Sequence, residues 1–274
     1  MRNRTLRLLG ALSFALASCR SAKVHVSDAE AELTVASAAR EKGDFRAALE
    51  HAQKAVVLAP RMIQAHFTVG EIADVMCLPN AQPGPDDRTC GLAIEEYKTT
   101  LQLNPSHGEA LKDFAFLLFQ FGKSDESESY YRKALALHPD DPGLLGAVAG
   151  MDFRRIAPDV VETKVRLGLG AKKALIQSPA CADVRDRNQA RFEESIALLL
   201  RALEISKNNP EFQTYLGALY SLRAEIQCGD RANYQADMNS SRVWDMAAKD
   251  SAAKFGQNFF QKVPAAPPPP PDIQ

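Results

Sequence analysis

The sequence predicts an all-α protein built from stacked helix hairpins, and two observations support that fold class. Residues 106–139 contain two amphipathic helical patterns in succession, with apolar side chains three and four positions apart on each. Residues 29–60 repeat the pattern, and Gly43 there aligns with Gly122. Because a single hairpin cannot bury its own apolar faces, this repetition indicates that neighbouring hairpins pack on one another.

A short signature ends several of these hairpins. A Lys-Ala pair is followed by proline, five residues after the alanine, in residues 54–60, 133–139 and 173–179. This pattern of small residues and prolines resembles the tetratricopeptide repeat, a helix–turn–helix unit of about 34 residues. The resemblance implies a right-handed α-solenoid of about five hairpins with a C-terminal capping helix, spanning residues 29–256. It also implies a protein that works by binding other proteins.

Capping residues predict where several helices begin. Ser106 and Glu109 have the spacing of a capping box, in which both residues satisfy backbone N–H groups of the first turn. Ser27 and Glu30 have the same spacing and are expected to cap the first helix. Two further starts combine an N-cap residue with a proline in the first turn, at Asp141-Pro142 and Asn209-Pro210.

The fourth hairpin is the least regular part of the pattern. It is expected to span residues 142–179, with its second helix opening at Pro158. A polar connector is expected at residues 178–187, and another helix from about Asn188. Residues 231–254 are also helical in pattern, and their polar side suits the cap that a solenoid needs over its last apolar face.

Residues 1–19 have the composition of a bacterial signal peptide. Three arginines precede an apolar run at residues 8–16, which is too short to span a bilayer. Leu16-Ala17-Ser18-Cys19 follows and resembles a lipobox, in which the cysteine is acylated and becomes the first residue. The alternative is ordinary cleavage after Ala15-Leu16-Ala17, which has the form of an A-x-A site.

The lipobox resemblance carries an expectation about location. Cys19 would hold the protein on the membrane through lipid, and residues 20–28 would form a short tether. By resemblance to enterobacterial lipoproteins, Arg20 implies the outer membrane, because it is a residue other than Asp. We therefore expect a lipid-anchored protein of the bacterial cell envelope, on the outer membrane and facing the periplasm. Residues 257–274 are expected to be a Pro-rich, disordered tail.

Four further cysteines suit an exported protein that contains disulfide bonds. Cys77 and Cys90 enclose a Pro-rich loop, inserted where the second hairpin turns. The natural pairing is therefore Cys77 with Cys90 and Cys181 with Cys228. The alternative is that all four are buried thiols.

The sequence contains no recognisable catalytic constellation. Its five histidines are dispersed, without the i, i+4 partner or adjacent cysteine that a metal site needs. It has no Gly-rich phosphate loop and no G-x-S-x-G turn. Paired acids such as Asp140-Asp141 are typical of helix starts and solvated faces. We therefore expect a protein that is not an enzyme and binds no metal and no cofactor.

The net charge gives no support to two classes of partner. It is formally −1, and basic residues are dispersed among acids, so neither nucleic acid nor an anionic membrane surface is an expected ligand. We expect protein partners, a membrane contact through the lipid anchor, and no small-molecule substrate.

The resemblance also implies a binding surface, because the first helix of each tetratricopeptide repeat lines a concave groove. Phe67 and Phe116 lie off the apolar stripes of their helices, as a peptide-binding aromatic would. Their alternative role is packing on the neighbouring repeat, and that of Phe119 is plain core. The matching positions are Leu33, Thr34, Ser37 and Arg40 in the first repeat, Phe67, Thr68, Glu71 and Asp74 in the second, and Lys112, Asp113, Phe116 and Phe119 in the third.

These features favour a non-catalytic envelope lipoprotein whose groove binds other proteins, as a scaffold or an assembly factor of the pilus or outer-membrane type. The alternative is a structural adaptor that holds envelope or cell-wall machinery at the membrane without a peptide-binding groove. A groove lined by mixed polar and aromatic residues would favour the first hypothesis. A groove blocked by packed side chains would favour the second.

Overall fold

The computed structural model of the chain describes residues 25–77, 87–170 and 173–255. All regular secondary structure in these ranges is helical, which confirms the fold class predicted from the sequence. The helices form two compact units that divide between Leu137 and His138.

The first unit contains three helix hairpins. Its helices are α1 (25–41), α2 (Phe45–Leu58), α3 (Ile63–Cys77), α4 (Asp87–Leu103), α5 (Gly108–Gln120) and α6 (Ser124–Leu137). Small residues let the first hairpin close tightly, because Ala36 of α1 and Ala48 and Ala52 of α2 pack with Val69 and Ile72 of α3. Helix α3 packs on α4, and α5 packs on α6.

The second unit contains two helix hairpins, and irregular chain connects the two helices of the first of them. Its helices are α7 (Pro142–Arg166), α8 (Cys181–Ile205), α9 (Pro210–Glu225) and α10 (Arg231–Phe255), with a short 3₁₀ turn at Leu175–Gln177. Helix α7 packs on α8, and α9 packs on α10. Helix α10, expected as a separate cap, is thus the second helix of the last hairpin.

Two of the predicted helix starts are confirmed in the second unit. The Asp141 carboxylate accepts hydrogen bonds from the backbone N–H groups of Gly143 (2.8 Å) and Leu144 (3.1 Å). The Asn209 side chain accepts from the N–H groups of Glu211 (2.9 Å) and Phe212 (3.2 Å). Each cap satisfies backbone donors that the first helical turn leaves without an internal partner.

The two predicted capping boxes are wrong. His107, not Ser106, caps α5, since its ring Nδ1 accepts a hydrogen bond from the Ala110 N–H (3.2 Å). Ser27 already lies inside a helix that includes residue 25. The spacing of a capping box specifies a possible bond, and here a neighbouring acceptor or a longer helix replaces it.

The predicted break at Pro158 is also wrong, because α7 continues through this proline to Arg166. Proline removes one backbone donor, but Ile156, Val160 and Thr163 are buried on both sides of Pro158. Their burial maintains the helix, which ends at Arg166, two residues before Gly168, where φ is +64°.

This continuity changes the pairing of the fourth hairpin. The second helix of the hairpin is α8, which begins at Cys181, inside the stretch predicted to be a polar connector. The Lys173-Ala174 signature does not end a helix, because it precedes the short 3₁₀ turn. The same Lys-Ala…Pro signature therefore lies at the end of a helix in residues 133–139 but includes a 3₁₀ turn in residues 173–179.

Two disulfide bonds brace the fold, in the pairing predicted from the sequence. Cys77 joins Cys90, at the end of α3 and the start of α4, with the sulfur atoms 2.04 Å apart. Cys181 joins Cys228, with the sulfur atoms 2.20 Å apart, and so ties the start of α8 to the chain after α9. Among the helices that the structure describes, none combines the length and apolarity needed to cross a bilayer.

Candidate functional site

The first helices of the first unit carry the predicted groove positions, and α1 contributes mostly exposed ones. Thr34, Ser37 and Arg40 are exposed on α1, while Leu33 is half-buried against the core. The Thr34 hydroxyl donates to the Glu30 carbonyl of its own helix (2.9 Å). Of these four, Arg40 reaches the next first helix, because its guanidinium lies 3.5 Å from Glu71 on α3.

Phe67, expected to face the groove, is instead buried, with 3% of its surface exposed. Its ring centroid lies 4.6 Å from that of His107 and 6.2 Å from that of Tyr97. Phe67 therefore joins α3 to α4 and to the start of α5, which is the packing role left open by the sequence. The neighbouring groove position, Thr68, is half-buried.

Phe116 on α5 is the exposed aromatic of the predicted set, with 38% of its surface accessible. Lys112, one helical turn before it, is also exposed. Phe119 is half-buried, which is intermediate between a groove contact and a core residue, the two roles considered for it. An apolar ring beside a cation and several acids can supply contact area together with directional charge.

Three carboxyl groups of the predicted groove lie on two helices that pack together. Glu71 and Asp74 lie one turn apart on α3, and Asp113 lies on α5, which packs against α3. Burial raises the pKa of the Asp113 carboxyl, the charge of Lys112 opposes this rise, and the nearby Glu109 adds to it. Burial likewise raises the pKa of Glu71, Arg40 lowers it, and the charges of Asp113 and Glu109 raise it.

Asp74 is the most perturbed member of this group. Burial raises its pKa to about 7, and the charges of Asp113 and Glu71 contribute in the same direction. Its Oδ2 accepts a hydrogen bond from the Tyr97 hydroxyl (3.2 Å). Its Oδ1 is buried and has no hydrogen-bond partner.

The contact between Asp74 and Tyr97 depends on a glycine in α3. A Cβ atom at Gly70 would lie 3.0 Å from two carbon atoms of the Tyr97 ring, closer than ordinary packing. Gly70 lies one turn before Asp74, so the absence of a side chain there leaves room for the Tyr97 ring against α3. Sequence reasoning included Asp74 but missed Tyr97; the available signal was this glycine inside an otherwise regular helix.

Two acidic groups of the second unit, Asp152 and Glu225, have a different environment, because they are paired with protein donors. Asp152 is buried and accepts from the Arg191 guanidinium (2.7 Å) and the Ser195 hydroxyl (3.2 Å). Glu225 accepts from the Lys164 ammonium and from the backbone N–H of Leu175 (2.7 Å). These pairs connect neighbouring helices, and their carboxyl groups are already engaged by protein donors rather than open to a ligand.

Several predicted features lie outside the described residues. These are the signal peptide with Cys19, the tether as far as residue 24, most of the Cys77–Cys90 loop, and the Pro-rich tail. Within the described ranges, no cluster of three or more His, Cys, Asp or Glu side chains is arranged to hold a metal ion.

Comparison with known proteins identifies a repeat family over part of the chain. The family described as Tetratricopeptide repeat matches residues 90–142, which include α5, α6 and most of α4. No curated protein sequence matches the chain.

Solved structures resemble a much longer part of the chain, although their sequences differ from it. MamA superposes with a TM-score of 0.53 at 13% identity, covering 88% of this chain and 98% of MamA. A MamA segment from Desulfovibrio magneticus RS-1 gives 0.50 at 11% identity, covering 80% and 97%. YrrB, described as a TPR protein with an unusual peptide-binding site, gives 0.52 at 12% identity, covering 90% and 98%. At these identities the likeness shows the fold.

Proposed function

We propose that this chain, which has the tetratricopeptide-repeat fold, is a non-catalytic scaffold protein that binds a segment of a partner protein on α3 and α5 of its first unit. Repeats of this kind present an extended face rather than an enclosed cavity. The binding face is defined by Phe116, Lys112, Glu71, Asp74 and Asp113, and is called here the α3–α5 face.

The observation that supports this function is the exposure of Phe116 among charged groups. Aromatic rings supply much of the energy of protein interfaces, and surrounding charges select the partner and its register. Lys112 lies one turn before Phe116, and Asp113 is the residue after Lys112. YrrB, which shares this fold, is described as having a peptide-binding site, so the proposed use of the surface is one the fold can support.

We further propose that the protein acts at the bacterial cell envelope, anchored through an acylated Cys19 and serving in assembly of a pilus or of the outer membrane. The support is the lipobox-like sequence at residues 16–19 behind a basic, apolar leader. A tethered scaffold would present its α3–α5 face to partners near the membrane.

A second candidate function is a structural adaptor without a peptide-binding groove. The burial of Phe67 favours it, because that ring fills space between α3 and α5 instead of facing a ligand. The two candidates differ at Phe116, which only the first requires as a contact.

A double substitution tests the binding role of this face. We expect Phe116→Ala with Lys112→Ala to weaken partner binding by more than about 1 kcal/mol, the level that separates anchors from bystanders. A photo-crosslinking amino acid at position 116 identifies the partner in the native envelope, and affinity is then measured with that partner. Helicity should be unchanged, because both side chains are exposed.

Val57 provides the matched control, since it is an exposed apolar residue on α2, the second helix of the first hairpin. A crosslinker placed there should capture little of the same partner, and Val57→Ala should leave affinity unchanged. Normal binding by a folded double variant would contradict the proposal and favour the adaptor. Unfolding of the double variant would place Phe116 in the core.

A further inference from the structure

We infer that the carboxyl groups of Glu71, Asp74 and Asp113 form a subsite for one lysine or arginine side chain of the bound segment. This inference rests on the proposed function, because it names the partner chemistry that the α3–α5 face selects. It predicts that the partner carries a basic residue at a fixed position of an extended segment.

The first support is the convergence of the acids from two helices. Glu71 and Asp74 project from the same side of α3, one turn apart, and Asp113 comes from α5. The charge of Asp113 acts on both α3 carboxyl groups. Helix α5 packs on α3, and a cation placed between these carboxyl groups would relieve their mutual repulsion.

The second support is the unsatisfied oxygen of Asp74. Nearly all buried polar atoms in proteins have a hydrogen-bond partner, and exceptions indicate a functional or ligand-binding position. Asp74 is only 8% exposed, its Oδ2 is used by Tyr97, and its Oδ1 has no donor. An ammonium or guanidinium group would supply the missing N–H donor together with the opposite charge.

The local charge balance also favours a cationic ligand. Of the described groups that act on this cluster, Glu71, Asp74, Glu109 and Asp113 are acidic, whereas Arg40, Lys112 and His107 are basic. The Arg40 contact to Glu71 is long, at 3.5 Å, and both side chains are partly exposed, so solvent screens it. The face therefore retains excess negative charge.

The arrangement suits a side chain better than a metal ion. No group of three described His, Cys, Asp or Glu side chains is arranged to hold a metal ion. Lysine and arginine reach neighbouring carboxylates through several N–H donors on a long apolar stem. Phe116, one turn along α5 from Asp113 and exposed, offers an apolar surface for that stem.

A random nonapeptide library, displayed on beads and selected on the full chain, tests the subsite. The wild-type protein should enrich peptides with Lys or Arg at one position. Asp74→Asn should reduce affinity for those peptides by at least about tenfold, the effect of losing one charge-assisted hydrogen bond. Asp113→Asn, on the other helix, should also reduce it, and serves if Asp74→Asn does not fold.

Glu126→Gln is the matched control, because it removes one negative charge from an exposed position on α6 of the same unit. It should leave affinity for the selected peptides unchanged. The subsite would be overturned, and the proposed function left intact, if the selected peptides showed no basic preference or if both Asn variants bound them as tightly as wild type does. If Phe116→Ala with Lys112→Ala binds every selected peptide as wild type does, the proposed function fails as well.

The pH dependence of binding provides a second readout. Asp74 must be ionised to attract a cation, so affinity for a selected basic peptide should rise by at least about fivefold from pH 5.5 to 8. The rise should be much smaller in Asp74→Asn, and a wild-type affinity that falls with pH would overturn the inference. The groups that act on Asp74, or feel its charge, are Glu71 on α3, Tyr97 on α4, Asp113 on α5 and Tyr131 on α6.

Discussion

At the scale of single residues, Asp74 lowers the stability of the fold at neutral pH. Its pKa is about 7 in the folded protein, against an ordinary value of 3.8. The folded state therefore holds this proton more tightly than the unfolded chain does. The resulting stabilisation is complete below about pH 4, declines as pH rises, and is lost above pH 7. Above that pH, a buried and incompletely paired carboxylate remains.

Substituting this acid should make the protein more stable at high pH. In Asp74→Asn, the side-chain carbonyl can still accept from the Tyr97 hydroxyl, but no charge is buried. We expect the variant to gain about 2 kcal/mol over wild type between pH 5 and pH 8, since one pKa unit corresponds to about 1.4 kcal/mol. Urea denaturation at both pH values measures this difference.

Glu126→Gln again provides the control, because its carboxyl group is exposed. Its stability relative to wild type should change little between the two pH values. If Asp74→Asn were less stable than wild type at pH 8, the ionised Asp74 carboxylate would stabilise the fold, and this prediction would be wrong. A stability cost of this kind is common where function requires an unfavourable local arrangement.

Phe67 and Phe116 show how far sequence reasoning reaches at this scale. Both lie off the apolar stripes of their helices, and the pattern alone assigns them the same role. The structure separates them, because the His107 and Tyr97 rings cover Phe67 while Phe116 stays exposed. Burial of an off-stripe residue depends on which neighbouring helix packs there, and helical periodicity does not contain that information.

At the scale of helices, glycines determine how closely the repeats approach. Gly146 on α7 faces Phe212 on α9, and a Cβ atom at position 146 would overlap that ring. Gly91 on α4 is exposed and has nothing within 4 Å of the same built atom. A glycine-to-alanine substitution can therefore be compared at a crowded position, Gly146, and at an open one, Gly91.

These two positions should respond to alanine with opposite signs. Gly146→Ala forces Phe212 or the helices to move, which typically costs about 1–3 kcal/mol in a packed interior. Gly91→Ala should stabilise the protein by up to about 1 kcal/mol, because alanine favours helix more than glycine does. Chemical denaturation followed by circular dichroism measures both. Equal effects at the two sites would mean that α7 and α9 do not pack closely.

Helix α7 shows why element boundaries were harder to predict than element type. Its apolar pattern predicted helix correctly, but Pro158 and the signature at residues 173–179 suggested a shorter unit. The burial of Ile156 and Val160 outweighs the local cost of proline. Local preferences are small terms, and tertiary packing overrides them where a long stripe can be buried.

At the scale of the whole molecule, the fold class follows from the repetition of one local pattern. Residues 29–60 and 106–139 predicted hairpins, and the structure has hairpins there. The disulfide pairing could also be predicted from the sequence, because Cys77 and Cys90 enclose the loop at a hairpin turn. The acidic subsite could not be predicted, because it joins residues more than thirty positions apart on α3 and α5. Contacts of that separation depend on how the hairpins stack.

A last prediction concerns the attachment of this scaffold to a membrane. If Cys19 is the acylated N-terminus, Cys19→Ser should release the protein from the membrane fraction or stop its processing. One acyl chain binds a bilayer only marginally, whereas two or more hold firmly, because each buried CH₂ group contributes about 0.8 kcal/mol. Ser18→Ala keeps the cysteine and should remain membrane-bound. Intact-mass measurement should find a diacylated or triacylated Cys19, and an unmodified N-terminus at Ser18 would contradict the anchor and indicate ordinary cleavage.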